Sequence, residues 1–189
     1  MIDYSADLKS ANSDKIIFAL YTLLHEKNKA KYLDRLIELT ENHNDKIRIA
    51  TIMVLGKIKN DKLMPVLEKL LEDKILKIKI IAAISLANYQ NEKAIPVLEL
   101  AIKNDIKDHS LHKRTIEALS KYKNERFLDI FEQMLSHRRK VSRIKSIDAL
   151  LNLGTPTAKK ILKKAEAFEI EEEIKLRFRN ALRKFENLK

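Results

Sequence analysis

Five histidines (His25, His43, His109, His112 and His137) are the side chains best suited to hold a metal or move a proton. A helical zinc site takes two histidines at i, i+4 on one face, with a carboxylate close by. His109 and His112 stand at i, i+3 instead, downstream of Asp105 and Asp108. His109 reads as lying near a helix start and His112 as one of a column of basic positions that recurs along the chain, so no metal is expected. The chain has no cysteine, which excludes disulfides, thiolate ligands and cysteine nucleophiles. Its two glycines, Gly56 and Gly154, are isolated, whereas a phosphate-cradling loop needs several together. Catalysis finds no constellation to rest on; neither a cofactor nor a small-molecule substrate is expected.

Charge is the stronger signal. Lys and Arg number 38 against 27 Asp and Glu, a net charge of +11, divided as +3 over residues 1–94 and +8 over 95–189. The C-terminal excess points to an anionic partner there. Its densest part is Arg138-Arg139-Lys140, followed by Arg143 and Lys145, with Lys159-Lys160 and Lys163-Lys164 beyond. Such a cluster at a helix start suits phosphate, with Ser136 or the helix amides assisting. A solvated basic face is the simpler reading. Aromatic residues make up only 6% of the chain and Trp is absent, so base stacking on single strands has little to work with.

Helices must position these groups. Two Gly and three Pro in 189 residues are too few turn formers for an all-β chain. A 45% hydrophobic and 34% charged composition suits a packed globular protein. No apolar run approaches the ~18 residues of a membrane span. The start, Met1-Ile2-Asp3-Tyr4, lacks the basic region of a signal peptide. A cytoplasmic protein with no membrane role is expected.

The helices come in repeats. Asp61-Lys62-Leu63-Met64-Pro65-Val66-Leu67-Glu68 returns as Glu92-Lys93-Ala94-Ile95-Pro96-Val97-Leu98-Glu99, with Asn60 and Asn91 before them. A third copy begins at Asn124-Glu125-Arg126-Phe127, and a degraded fourth at Thr155-Pro156. Each copy carries a second stripe: Ile47-Arg48 to Ile58, Ile78-Lys79 to Tyr89, Leu111-His112 to Tyr122, then Arg143 to Leu153. Two helical patterns recurring with a period in the ordinary range of repeat arrays mean stacked helical hairpins. The run from Asp45-x-Ile47-Arg48 through Val54-Leu55-Gly56 to Pro65-Val66-Leu67 resembles the HEAT-like repeats named after phycobilisome lyases. The resemblance covers residues 45–165 well. It implies an all-α superhelix of about five hairpins, one repeat domain over 1–189, and a scaffold role without a specified partner.

Helices are predicted at 14–26, 31–42, 45–58, 62–72, 75–89, 93–104, 109–122, 125–136, 140–153, 157–167 and 170–187, the last a capping helix with the apolar series Ile170, Ile174, Phe178, Leu182 and Phe185. Asp61 and Thr155 are the expected N-caps. Arg48, Lys79, His112, Arg143 and Lys175 form one column. It reads as a register-holding set of ion pairs with acids such as Asp45 and Asp73, or as a basic ladder. Similar repeats line a concave face with the second helix of each pair. Its outward positions change from apolar (Met53, Ile81, Ile84) to basic (Arg114, Lys121, Lys145, Arg177). The expected function is a non-enzymatic scaffold for a protein partner with an acidic or amphipathic segment. Met53, Ile81 and Ile84 would form the apolar anchor, with the four basic residues steering it. The alternative is duplex DNA, its backbone on Arg138, Arg139 and Lys140.

Overall fold

The computed structural model describes residues 3–58 and 60–186. Among them every regular element is helical: α1 (Ser5–Leu8), α2 (Ser13–Leu23), α3 (Leu33–Leu39), α4 (Asp45–Leu55), α5 (Leu63–Lys69), α6 (Leu76–Leu86), α7 (Ile95–Lys103), α8 (His109–Ser120), α9 (Leu128–Leu135), α10 (Lys140–Leu153), α11 (Pro156–Glu166) and α12 (Glu172–Glu186), with 3-10 turns leading into or out of α3, α5, α6, α7 and α9. The all-α repeat class expected from the sequence is the class observed. The short α1 is an addition: it buries Leu8, and Tyr4 just before it is buried as well.

The chain divides into two compact units, one up to Val97 and one from Leu98. In the first, α4 packs between α2 and α6; in the second, α10 packs between α8 and α12. These inner helices meet through small residues. Ala19, Ala50, Ala82 and Ala83 are fully buried in the first unit, as Ala118 and Ala149 are in the second. Gly56 ends α4 where a Cβ would overlap the Ser85 hydroxyl of α6, so a larger residue there would require the Ser85 side chain to shift.

The repeated asparagine explains where each repeat restarts. Asn60 Oδ1 accepts the Lys62 amide at 3.0 Å, Asn91 Oδ1 the Lys93 amide at 3.0 Å, and Asn124 Oδ1 the Arg126 amide at 2.9 Å. Each satisfies an amide that the first turn leaves without an intrahelical partner. Thr155 caps α11 as expected, with Pro156 in the first turn. Asp61 does not cap; Asn60 takes that part. Gly154 closes α10 in the left-handed region at φ 70°, which favours glycine.

Candidate functional site

The charged column is structural at two of its rungs. Arg48, 6% exposed, places Nη2 2.7 Å from Asp45 and Nε 3.2 Å from Asp73, and donates from Nη1 to the carbonyl of Asn42 at 2.8 Å. Arg143 repeats the arrangement, with Nε 3.0 Å from Glu169, a second ion pair to Glu171, and Nη1 donating to the His137 carbonyl at 3.0 Å. A planar five-donor fork satisfies an acid and a carbonyl at once, and lysine cannot reproduce that geometry.

At the rung that precedes Arg143 the arginine gives way to His112, and His137 takes the place that Asp73 holds for Arg48. The two rings lie 5.1 Å apart between centroids. Asp105 joins them from the turn after α7, its Oδ1 3.2 Å from His137 Nε2 and 3.8 Å from His112 Nδ1. The ligand atoms of all three fall within 4.8 Å of one another. His112 is 1% exposed, and neither ring nitrogen has a hydrogen-bond partner among the described residues. Burial, then the positive charge of Arg139, pushes its pKa down to about 4. Burial would raise the Asp105 carboxyl, but Arg139 and Arg138 outweigh it and hold the group below the usual range. Sequence spacing paired His112 with the exposed His109; the residue it meets is too distant in sequence for an i, i+3 or i, i+4 search.

The expected phosphate cluster has carboxylates of its own. Arg138 Nη2 lies 2.8 Å and Arg139 Nη1 2.5 Å from Asp105. Lys140 pairs with Glu173 and stands 3.6 Å from Glu171. The basic run therefore faces acids from neighbouring turns and does not present three uncommitted charges.

The apolar anchor needs correcting. Ile81 is 1% and Ile84 6% exposed, so both belong to the core of the first unit. From Ile80 to Leu86 helix α6 is buried at every position, so its apolar residues there are core and not a surface. Met53 on α4 is half-buried.

On the inner helices of the second unit, two basic positions are committed to a ladder. Lys145 Nζ is 2.7 Å from Glu117 of α8, and Arg177 of α12 binds Asp148 of α10 through Nη2 at 2.5 Å and Nε at 3.0 Å. Arg114 differs: it forms no ion pair with any described residue. Burial lowers its pKa, with Glu117 and Asp108 only partly opposing. Lys121, the residue that follows α8 and seven positions on from Arg114, is lowered by the same cause.

One apolar surface escaped the sequence reading. Phe168 is 79% and Ile170 86% exposed in the turn between α11 and α12. Glu169 explains both: Arg143 draws its carboxylate inward, its Oε1 accepts the amides of Ile170 at 2.9 Å and Glu171 at 3.0 Å, and its neighbours point out. Ile170 thus leaves the capping stripe that Ile174, Phe178 and Phe185 do form. Phe168 and Ile170 flank a groove of about 500 Å³ that also includes Leu135, Arg143 and Lys164.

Stacked helical hairpins with this arginine column define an α-solenoid repeat protein. Residues 33–109 match the family model of HEAT repeats, and over that stretch the chain carries HEAT-like repeats. No curated protein matches its sequence significantly. Similar solved structures include the complex of CpcE and CpcF of phycocyanin lyase from Nostoc sp. PCC7120, at 20% identity and TM-score 0.63, covering 88% of this chain and 71% of that one. A designed armadillo repeat protein in complex with the peptide (KR)4 aligns at 18% identity and TM-score 0.62, covering 95% and 96%. A second, computationally designed for modular peptide recognition, gives 17% and 0.58, covering 94% and 96%. At such identities the likeness is one of fold. No helix among the described residues is long and apolar enough to cross a membrane.

Proposed function

We propose that this protein is a non-catalytic repeat scaffold that holds an acidic segment of a protein partner against α8, through Arg114 and Lys121. The observation that carries this reading is Arg114. A guanidinium drawn partly out of water without a carboxylate of its own has an unmet desolvation cost. An incoming Asp or Glu would offset it, whereas Lys145 and Arg177 already have Glu117 and Asp148. Fold supports a peptide or protein as the partner, since similar structures were solved in complex with the peptide (KR)4 and as the complex of CpcE and CpcF. Phe168 and Ile170 give the partner a separate apolar foothold, because large exposed apolar groups beside a groove mark contact surfaces. Duplex DNA is the weaker reading, since Arg138, Arg139 and Lys140 would have to leave Asp105, Glu171 and Glu173 to reach phosphate.

The test is fluorescence anisotropy with a labelled glutamate-rich peptide. Arg114→Gln should weaken binding by roughly tenfold, the scale of one charge-assisted contact. Arg177→Gln should change it by less than about threefold. Equal losses at both positions would remove the basis for choosing Arg114.

A further inference from the structure

We propose that His112, His137 and Asp105 form a binding site for a divalent transition metal of the zinc type. Their three ligand atoms lie within 4.8 Å of one another, close enough to share one ion. The His137 Nε2 to Asp105 Oδ1 distance of 3.2 Å already matches the edge of a coordination polyhedron with bonds of ~2.0–2.1 Å. His112 supplies the independent observation. It is 1% exposed with both nitrogens unpartnered, and a buried imidazole in that state needs a partner. The repeat offers a partner that this rung does not use: Arg48 and Arg143 each find an acid one repeat further on, Asp73 and Glu169. Replacing both members of the pair by histidine gives up an ion pair and gains two borderline nitrogen donors. Two imidazoles and one carboxylate favour zinc, cobalt or nickel over magnesium or calcium, which take oxygen sets.

The surroundings set the conditions. Arg138 and Arg139 compete with a cation for the Asp105 carboxylate: Arg138, on Oδ2, lies 73% in solvent and can withdraw, whereas Arg139, on Oδ1 and 10% exposed, must share that oxygen with the ion or give it up. His137 Nδ1 accepts the Arg139 amide at 3.1 Å, which leaves its proton on Nε2, facing Asp105. A metal at Nε2 moves that proton to Nδ1 and breaks the bond to the amide. Loading is therefore coupled to the 137–139 turn that begins α10.

The experiment is titration of the chelator-stripped protein with Co²⁺, read by visible absorption, together with thermal melts in zinc. One cobalt per chain should bind with a visible ligand-field band. Zinc at ~100-fold over its Kd should raise Tm by roughly 5–10 °C. The variant His112→Arg/His137→Asp, which restores the ion pair of the neighbouring rungs, should fold and lose the band. His137→Gln, at a position 12% exposed, should weaken binding by more than the ~10–100-fold that an outer-shell partner costs. Absence of a band and of a Tm rise in the unaltered protein overturns the proposal. So does undiminished binding in either variant, which would place the ion elsewhere.

Discussion

His137 stands to His112 as Asp73 stands to Arg48, at the same spacing along the chain and in contact: the ring centroids are 5.1 Å apart in the first pair, and Nε meets Oδ2 at 3.2 Å in the second. The same position of the repeat thus carries an ion pair at the Arg48 and Arg143 rungs and two rings at the rung between them in sequence, His112. The histidine pair brings in a group that responds to acid: His112 is neutral, because a charged ring would be buried.

The metal-free protein should therefore lose stability in mild acid. The His112 pKa falls from its ordinary 6.5 to about 4 on folding, so the unfolded chain takes up the proton first. The contribution of the neutral ring is full above pH ~6.5 and is lost as the pH falls toward 4, amounting to about 3 kcal/mol. Asp105, His137, His109 and Arg139 act on this ring, and the acid-side loss from Asp105 falls lower in pH. Denaturant melts in chelator at pH 7.5 and 5 should show the loss in the unaltered protein and a smaller one in His112→Gln. Parallel losses in both would refute the assignment.

Arg48 and Arg177 should separate structural from surface pairing. Arg48→Ala strands Asp73 and two carbonyls in a nearly closed space and should cost about 3–5 kcal/mol. Arg177→Ala breaks a half-exposed pair and should cost less than about 1 kcal/mol. Urea midpoints measure both; comparable losses would mean the column does not hold register.

The repeat period, the helices after α1 and the arginine column were legible because each rests on short-range pattern. The face of α6 was not. Ile81 and Ile84 lie on the side a lone hairpin would expose, and only packing in the first unit decides that they are covered. The ladder from Glu117 to Arg177 was hidden for a related reason, since its partners sit about one repeat apart on separate helices. Ile170 has the spacing of a stripe residue, yet the pull of Arg143 on Glu169 ends the stripe at Ile174.

Ile81→Asp with Ile84→Asp should consequently unfold the first unit, because two carboxylates would be buried without partners. Phe168→Ser with Ile170→Ser should leave stability within about 0.5 kcal/mol. Circular dichroism melts distinguish the two; a stable Ile81/Ile84 variant would return that face to the list of surfaces.

Gly56→Ala should cost about 1–3 kcal/mol, as the new methyl meets the Ser85 hydroxyl and forces α4 from α6. Adding Ser85→Ala should recover part of the loss. A fully additive double variant would show that the close approach is not the cause.

The scaffold reading is tested most directly by exchanging charge on α8. Glutamate-rich and lysine-rich peptides of equal length would be titrated into the unaltered protein and into Arg114→Glu/Lys121→Glu, with melts confirming that both are folded. The unaltered protein should prefer the acidic peptide and the variant the basic one, each by roughly tenfold or more. An acidic peptide that binds both proteins equally would contradict the assignment of α8 as the partner surface.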